Sequence, residues 1–148
     1  MLSASRRTVD LATHSMKASS IAKNELVARM DSDDIAYQDR CEKQIAVFNT
    51  HSEVSICSGI VEEFTTDPNT VDTRRVPPET NAEIIEFAKK RNPFNHPCVM
   101  YKKSAVEAVG SYREFLSAGG LLPLASNADG RISGLQHSRA TAPYESRF

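Results

Sequence analysis

The sequence predicts one α/β domain, and three observations carry that prediction. Apolar, β-branched runs alternate with amphipathic segments, two helices open on capping-box spacings, and 148 residues with 40% hydrophobic side chains suffice for a single core. The formal charge of -1, from 18 Lys plus Arg against 19 Asp plus Glu, builds no basic field, which disfavours nucleic acid as a partner. Neither a signal peptide nor a membrane span is expected, because no apolar run is long enough for one. Cys41, Cys57 and Cys98 stand far apart with no CxxC pair. Free thiols in a reducing cytoplasm are therefore expected, rather than disulfides or zinc.

The elements follow in order. Segment 1–23 is rich in Ser, Ala and Thr and carries a weak helical pattern around 11–21, so it is set apart from the rest of the chain. Residues 25–30 form a short apolar run that stops at the acidic cluster 31–34, which predicts a strand ending in a polar turn. Residues 39–49 place Cys41, Ile45 and Phe48 on one helical face, with Gln44 and Val47 at its margins. The β-branched run 54–61 predicts a strand that continues to Phe64, with a bulge at Gly59. Thr80 and Glu83 have capping-box spacing ahead of Ile84, Ile85, Phe87 and Ala88, and Lys89, Lys90 and Arg91 suit the negative end of that helix. After the loop 92–97 come a strand at 98–101 and a second capping box, Ser104 with Glu107, whose helix can stop at Gly110. From Ser117 onward there is no Lys, four of the six glycines fall between Gly119 and Gly134, and no period persists, so 117–148 is expected to be irregular.

Asp31, Asp33 and Asp34 raise one another's pKa unless a cation neutralises them. Mg²⁺ or Mn²⁺, bound by one or two carboxylates plus diphosphate oxygens, answers that need; a solvated acidic turn is the plain alternative. Asp31, Asp33, Asp39 and Glu42 also match some positions of a calcium loop. That reading fails at Ile35 and Ala36, where the loop needs a ligand oxygen and a glycine. His96, in a loop just before a strand, is placed to touch a substrate hydroxyl or phosphate, or to serve structure alone. Cysteine catalysis is disfavoured, since all three thiols occupy helix or strand positions that read as core.

Residues 27–35 (Val, Ala, Arg, Met, Asp, Ser, Asp, Asp, Ile), with Asp39, Arg40 and Gln44, resemble the DxD segment of family 2 glycosyltransferases. Residues 91–97, then 99–105, Val109 and Gly110, resemble a later block of the bacterial polysaccharide enzymes in that family, in matching order and spacing. The resemblance covers 24–116 and implies part of a GT-A fold, a Rossmann-like, mostly parallel sheet with a nucleotide-diphosphate sugar across its carboxyl ends. It implies a UDP-sugar donor, a glycan or lipid-linked acceptor, and peripheral membrane contact in intact relatives. Asp31 would touch the ribose or sugar of the donor, Asp33 would hold Mn²⁺ or Mg²⁺ with Asp34 as support or alternative ligand, and Asn95 and His96 would line the acceptor side. The metal would stabilise the leaving diphosphate while an acidic base deprotonates the acceptor hydroxyl.

Two family features have no counterpart here. The first strand, first helix and Asp-rich nucleotide segment are not recognisable, and the Glu-Asp pair with its following aromatics and Trp, which supplies the base, is absent. Residues 118–125 can be back-translated so that the next reading frame encodes Gln-Glu-Asp-Tyr-Tyr-Leu-Trp. The sequence therefore reads as a truncated transferase with a frameshifted tail that adds nothing to stability. Its catalytic residue is unassigned, it is expected to be inactive alone, and its uncovered sheet edge favours self-association. A non-catalytic remnant or interaction module is the alternative. An Asp-dependent phosphotransfer domain fares worse, because the Thr, Lys and Gly features of such sites do not follow the acidic turn.

Overall fold

The computed structural model describes residues 20–108 and the backbone of 139–143. Its elements are β1 (Leu26–Ala28), β2 (Ile35–Ala36), α1 (Arg40–Thr50), β3 (Ile56–Cys57), β4 (Ile60–Phe64), β5 (Thr73–Arg75), α2 (Asn81–Ala88), a 3₁₀ turn (His96–Cys98), β6 (Met100–Lys102), α3 (Lys103–Ala108) and β7 (Arg139–Pro143). Two small sheets result, one ordered β1-β6-β3 and the other β2-β7-β4-β5.

The first sheet is buried on both faces, and the alternation of side chains along its strands divides the core. Tyr101 of β6 and Ile56 of β3 pack on one side with Ile84 of α2, Val106 of α3, Phe94 and Val99. Met100 and Cys57, their neighbours along the same strands, pack on the other side with Val47 and Phe48 of α1 and with Val54. Burial of each large aliphatic or aromatic side chain here contributes about 1.5–3 kcal/mol. Helices on both faces explain why these strands read as continuous apolar runs rather than as alternating ones.

The mixed α/β class agrees with the sequence, but strand direction within the described residues does not follow a mostly parallel sheet. Of the five strand pairings, only β4 with β7 is parallel. The cause is the crossover through α1, which leaves β1 and β3 pointing the same way but one strand width too far apart to pair. β6 enters that gap antiparallel to both, pairing Val27 and Ile56 with Tyr101.

Local differences are equally physical. The α1 face is rotated from the expected one: Arg40, Gln44, Val47 and Phe48 are buried, whereas Cys41 is exposed and Ile45 is 41% exposed. Two polar side chains occupy the inward face because backbone carbonyls await them there. At Gly59 the chain does not bulge within one strand; it leaves the first sheet after Cys57 and enters the second at Ile60. The Thr80–Glu83 box forms as expected, the Glu83 amide donating to Thr80 Oγ1 at 3.3 Å and the Thr80 amide to Glu83 Oε2 at 3.0 Å. The second box does not form. Lys103 already begins α3, and the Ser104 amide and hydroxyl both donate to Glu25 Oε1.

In the tail, the backbone of 139–143 is a strand rather than irregular structure, parallel to all of β4 and antiparallel to β2. The other tail residues, the frameshift reading of 118–125 and the helix stop at Gly110 lie outside the described residues. Because β7 is the strand that joins β2 to β4, deleting 117–148 should lower the melting temperature by on the order of 5 °C. An unchanged thermal transition would show that 139–143 adds nothing to the fold.

Candidate functional site

The site is assembled by the polar face of α1. Arg40 is 2% exposed, and its Nη2 donates to the Arg29 carbonyl at 2.6 Å and to the Val99 carbonyl at 3.4 Å. Its Nε donates to Gln44 Oε1 at 3.1 Å, and Gln44 Nε2 in turn donates to the Cys98 carbonyl at 2.8 Å. The Arg29 amide donates to the Val99 carbonyl at 2.9 Å. One helix therefore fixes both the end of β1, where the acidic turn begins, and the backbone that follows His96.

At that end of β1, Arg29 faces Asp31 with both terminal nitrogens, Nη2 to Oδ1 at 2.6 Å and Nη1 to Oδ2 at 3.4 Å. The Asp34 amide closes the turn on the Asp31 carbonyl at 3.3 Å. Asp33 is exposed. Asp34 Oδ2 is buried with no hydrogen-bond partner, and burial, then the charge of Asp31, raises the Asp34 pKa against a lowering backbone hydrogen bond at Asp31. Beyond the turn, Tyr37 Oη donates to Glu62 Oε2 at 2.7 Å, and Arg74 Nε meets Glu62 Oε1 at 2.9 Å. The Glu62 side chain is 1% exposed, so this carboxylate ties the outgoing chain to β4 from inside the fold.

His96 opens the 3₁₀ turn, and its pKa falls to about 4, chiefly through burial and then through the Arg29 charge, with Asp31 acting the other way. The imidazole is thus neutral at pH 7, beside the acidic turn. Asn95 is anchored by its nitrogens: Nδ2 donates to the carbonyls of Gly59 and Arg75, each at 2.8 Å, and its amide donates to Ser58 Oγ at 3.1 Å. Cys98 Sγ approaches the Gly59 carbonyl at 3.2 Å, and burial raises its pKa. Burial pushes the Cys57 thiol up to about 12, and at both buried thiols it disfavours the nucleophilic thiolate.

Asp31, Asp34 and His96 are therefore neighbours around Arg29, Asp33 extends to solvent, and the side-chain amide nitrogen of Asn95 is committed to backbone carbonyls. Sequence reasoning assigned no role to Arg29, Arg40, Gln44, Tyr37 or Glu62. The available signal was the i, i+4 pair of polar residues, Arg40 and Gln44, immediately beside Val47 and Phe48. A separate cleft of about 510 Å³, lined by Val76, Pro77, Glu86 and Phe87 among others, contains none of the expected site residues.

The model of glycosyl transferase family 2 matches residues 4–110. The chain belongs to this family. The family 2 match begins within the segment 1–23 that the sequence set apart, and ends near the last of the resembling motifs. The amylovoran biosynthesis glycosyltransferase AmsE of Erwinia amylovora is 41% identical over 93 residues, which are 63% of this chain and 34% of AmsE. A UDP-Gal:alpha-D-GlcNAc-diphosphoundecaprenol beta-1,3-galactosyltransferase of Escherichia coli is 38% identical over 108 residues, 72% of this chain and 39% of that enzyme. The chain thus spans about a third of the length of the curated relatives it matches. The crystal structure of S. aureus TarS 1-349 in complex with UDP-GlcNAc shares its fold at a TM-score of 0.56 and 20% identity, covering 89% of this chain and 40% of TarS. That fold likeness agrees with the GT-A expectation.

Two outcomes follow from this geometry. Arg40→Met should lower unfolding stability by about 3 kcal/mol in urea titration, because two backbone carbonyls and the Gln44 amide oxygen lose a charged donor at once. Arg40→Lys should recover only part, lacking the guanidinium fork. For His96 the folded pKa lies below the ordinary 6.5, so the unfolded chain takes up a proton that the folded chain refuses. Stability from this group is complete above pH 6.5 and declines as pH falls toward about 4. Thermal melts at pH 7 and pH 5 should show wild type losing more than His96→Gln, while Asp34, whose raised pKa acts in the opposite direction, contributes to both proteins alike.

Proposed function

We propose that this chain carries the donor-phosphate and metal half-site of a glycosyltransferase, one that moves a sugar from a nucleotide-diphosphate donor to an acceptor hydroxyl in polysaccharide or glycan biosynthesis. The observation that carries the reading is the acidic turn at the carboxyl end of β1, with an unpartnered buried oxygen on Asp34 and an exposed Asp33 beside it. These two carboxylates suit a hard divalent cation. Among the described residues no three His, Cys, Asp or Glu side chains converge as a metal cage, so the ion would need diphosphate oxygens to complete its shell.

In this reading Asp33, with Asp34, holds Mn²⁺ or Mg²⁺, which supplies positive charge to the leaving diphosphate. Asp31, oriented by Arg29, faces the ribose or sugar of the donor. Asn95 and the neutral His96 line the acceptor side, where His96 can exchange a hydrogen bond with an acceptor hydroxyl without adding charge and the Asn95 Nδ2 bond to the Gly59 carbonyl holds the turn in place. The base that deprotonates the acceptor is not among these residues. The Escherichia coli relative is named for UDP-Gal and a diphosphoundecaprenol acceptor, and this supports a UDP-sugar donor and a lipid-linked or glycan acceptor. Among the described residues no helix is long and apolar enough to cross a membrane. Among the described residues β1 and β3 are the outer strands of their sheet, and such edges offer a route to self-association.

Titration of Mn²⁺ in the presence of UDP tests the site. Wild type should bind weakly but measurably, and Asp33→Asn should weaken that binding by about tenfold, at least as much as Asp34→Asn. Equal affinity in wild type and Asp33→Asn would remove the assignment.

A further inference from the structure

The cleft that holds none of the expected site residues has an ordered lining. Val76 stands on one wall, and Glu79, Glu83, Glu86, Phe87 and Lys90 stand on the other, spaced i, i+4, i+7, i+8 and i+11 along α2 and its two ends. That spacing puts the five on one helical stripe. The turn continues past Ala88, for the Lys90 amide donates to the Phe87 carbonyl at 3.0 Å, so Lys90 stays in line with the acids. Charge is sorted along the stripe, with three carboxylates at its beginning and Lys90 at its end, flanked by Lys89 and Arg91. The inner charges are engaged: Glu83 serves the cap of α2, Glu86 accepts from Lys89, and the Arg91 guanidinium lies 4.8 Å from the Phe87 ring centroid. Among the described residues neither the Glu79 carboxylate nor the Lys90 ammonium has a hydrogen bond or ion pair, and these are the outermost charges of the stripe. Apolar surface lies beside them, with Val76 60% exposed and Phe87 only partly buried.

We propose that this face is an interface between two copies of the chain, with α2 of each lying antiparallel to α2 of the other across a two-fold axis. A contact of this kind uses one patch twice, so the patch must complement its own reversal. A stripe that runs from acid to base does so: reversing it sets Glu79 of each copy toward Lys90 of the other, and the opposed helix dipoles add in the same sense. Val76 and Phe87 of both copies are then withdrawn from water between the two charged ends. A cationic peptide would complement the acids but leave Lys90 facing its own sign, whereas a second copy satisfies both ends. One short helix and its flanking loop bury less than a standard interface, so the dimer is weak, with a Kd on the order of 0.1 mM. The proposal depends neither on the donor site nor on the outer strands of the first sheet.

Sedimentation equilibrium of the full chain, with folding checked by circular dichroism, tests it. Wild type should show a monomer–dimer equilibrium that weakens as NaCl rises from about 0.05 M to about 0.5 M. Glu79→Lys and Lys90→Glu should each weaken dimerisation by at least about fivefold, because each sets like charges together at both ends. Val76→Ser should weaken it by about threefold. Mixing the two charge-reversed chains decides the geometry. Only the mixed dimer restores opposite charges at both ends, so an equimolar mixture should associate about as tightly as wild type, as should the chain carrying both substitutions. A wild type that stays monomeric throughout overturns the proposal, and so does a mixture no tighter than its separate components. A dimer indifferent to both reversals also overturns it and places the contact at the β1 or β3 edge instead. Where a reversal prevents folding, Glu79→Gln with Lys90→Gln takes its place, and unchanged association in that variant is equally fatal.

Discussion

A cation buried in a protein interior normally demands a carboxylate, yet among the described residues Arg40 is satisfied by backbone carbonyls and one amide oxygen. Hydrogen bonds from a charged donor contribute about 1.5–3 kcal/mol each, enough in combination to offset the cost of burial when the geometry is fixed. This solution takes up no carboxylate. It also sets the position of α1, because a helix that must present Arg40 and Gln44 inward cannot turn Cys41 and Ile45 to the core. Much of the first sheet depends on the same bonds, since the carbonyls at Arg29, Cys98 and Val99 are where the acidic turn and the His96 turn leave their elements.

The division of labour between the two sheets has a comparable logic. The first is covered by helices on both faces and supplies rigidity, with Met100 and Tyr101 anchoring opposite layers. The second is joined to it at Gly59, whose carbonyl receives both Asn95 and Cys98. The likeness to TarS extends to this fold.

Much of this is legible in the sequence. The strand that ends in the acidic turn, the capping box at Thr80 and the short strand after the His96 loop are each written in local chemistry, and the resembling motifs bring Asp31, Asp33, Asp34 and His96 into view. The features that escape a local reading depend on partners distant in the chain. The period of α1 suggests an apolar face because the carbonyls of Arg29, just after β1, and of Cys98 and Val99, just before β6, do not appear in a helical pattern. The Ser104–Glu107 spacing looks like a capping box because the competing acceptor, Glu25, lies in a different part of the chain. Strand direction is hidden for the same reason, since nothing in β6 announces that it will enter a gap left by an earlier crossover.

The position of β7 has a consequence for how the chain reaches its native state. β1, β3 and β6 all lie between Leu26 and Lys102, so the first sheet can close once that stretch is available. The second cannot, because Ile60 must wait for Arg139, and pairings so distant in sequence are slow to form. During synthesis from the N-terminus, β2 and β4 would stand apart with a strand-wide slot between them after the first sheet had consolidated. An open slot accepts any extended backbone, including one from a neighbouring nascent chain. The vulnerable period for this sheet therefore falls in the interval between completion of the first sheet and arrival of β7.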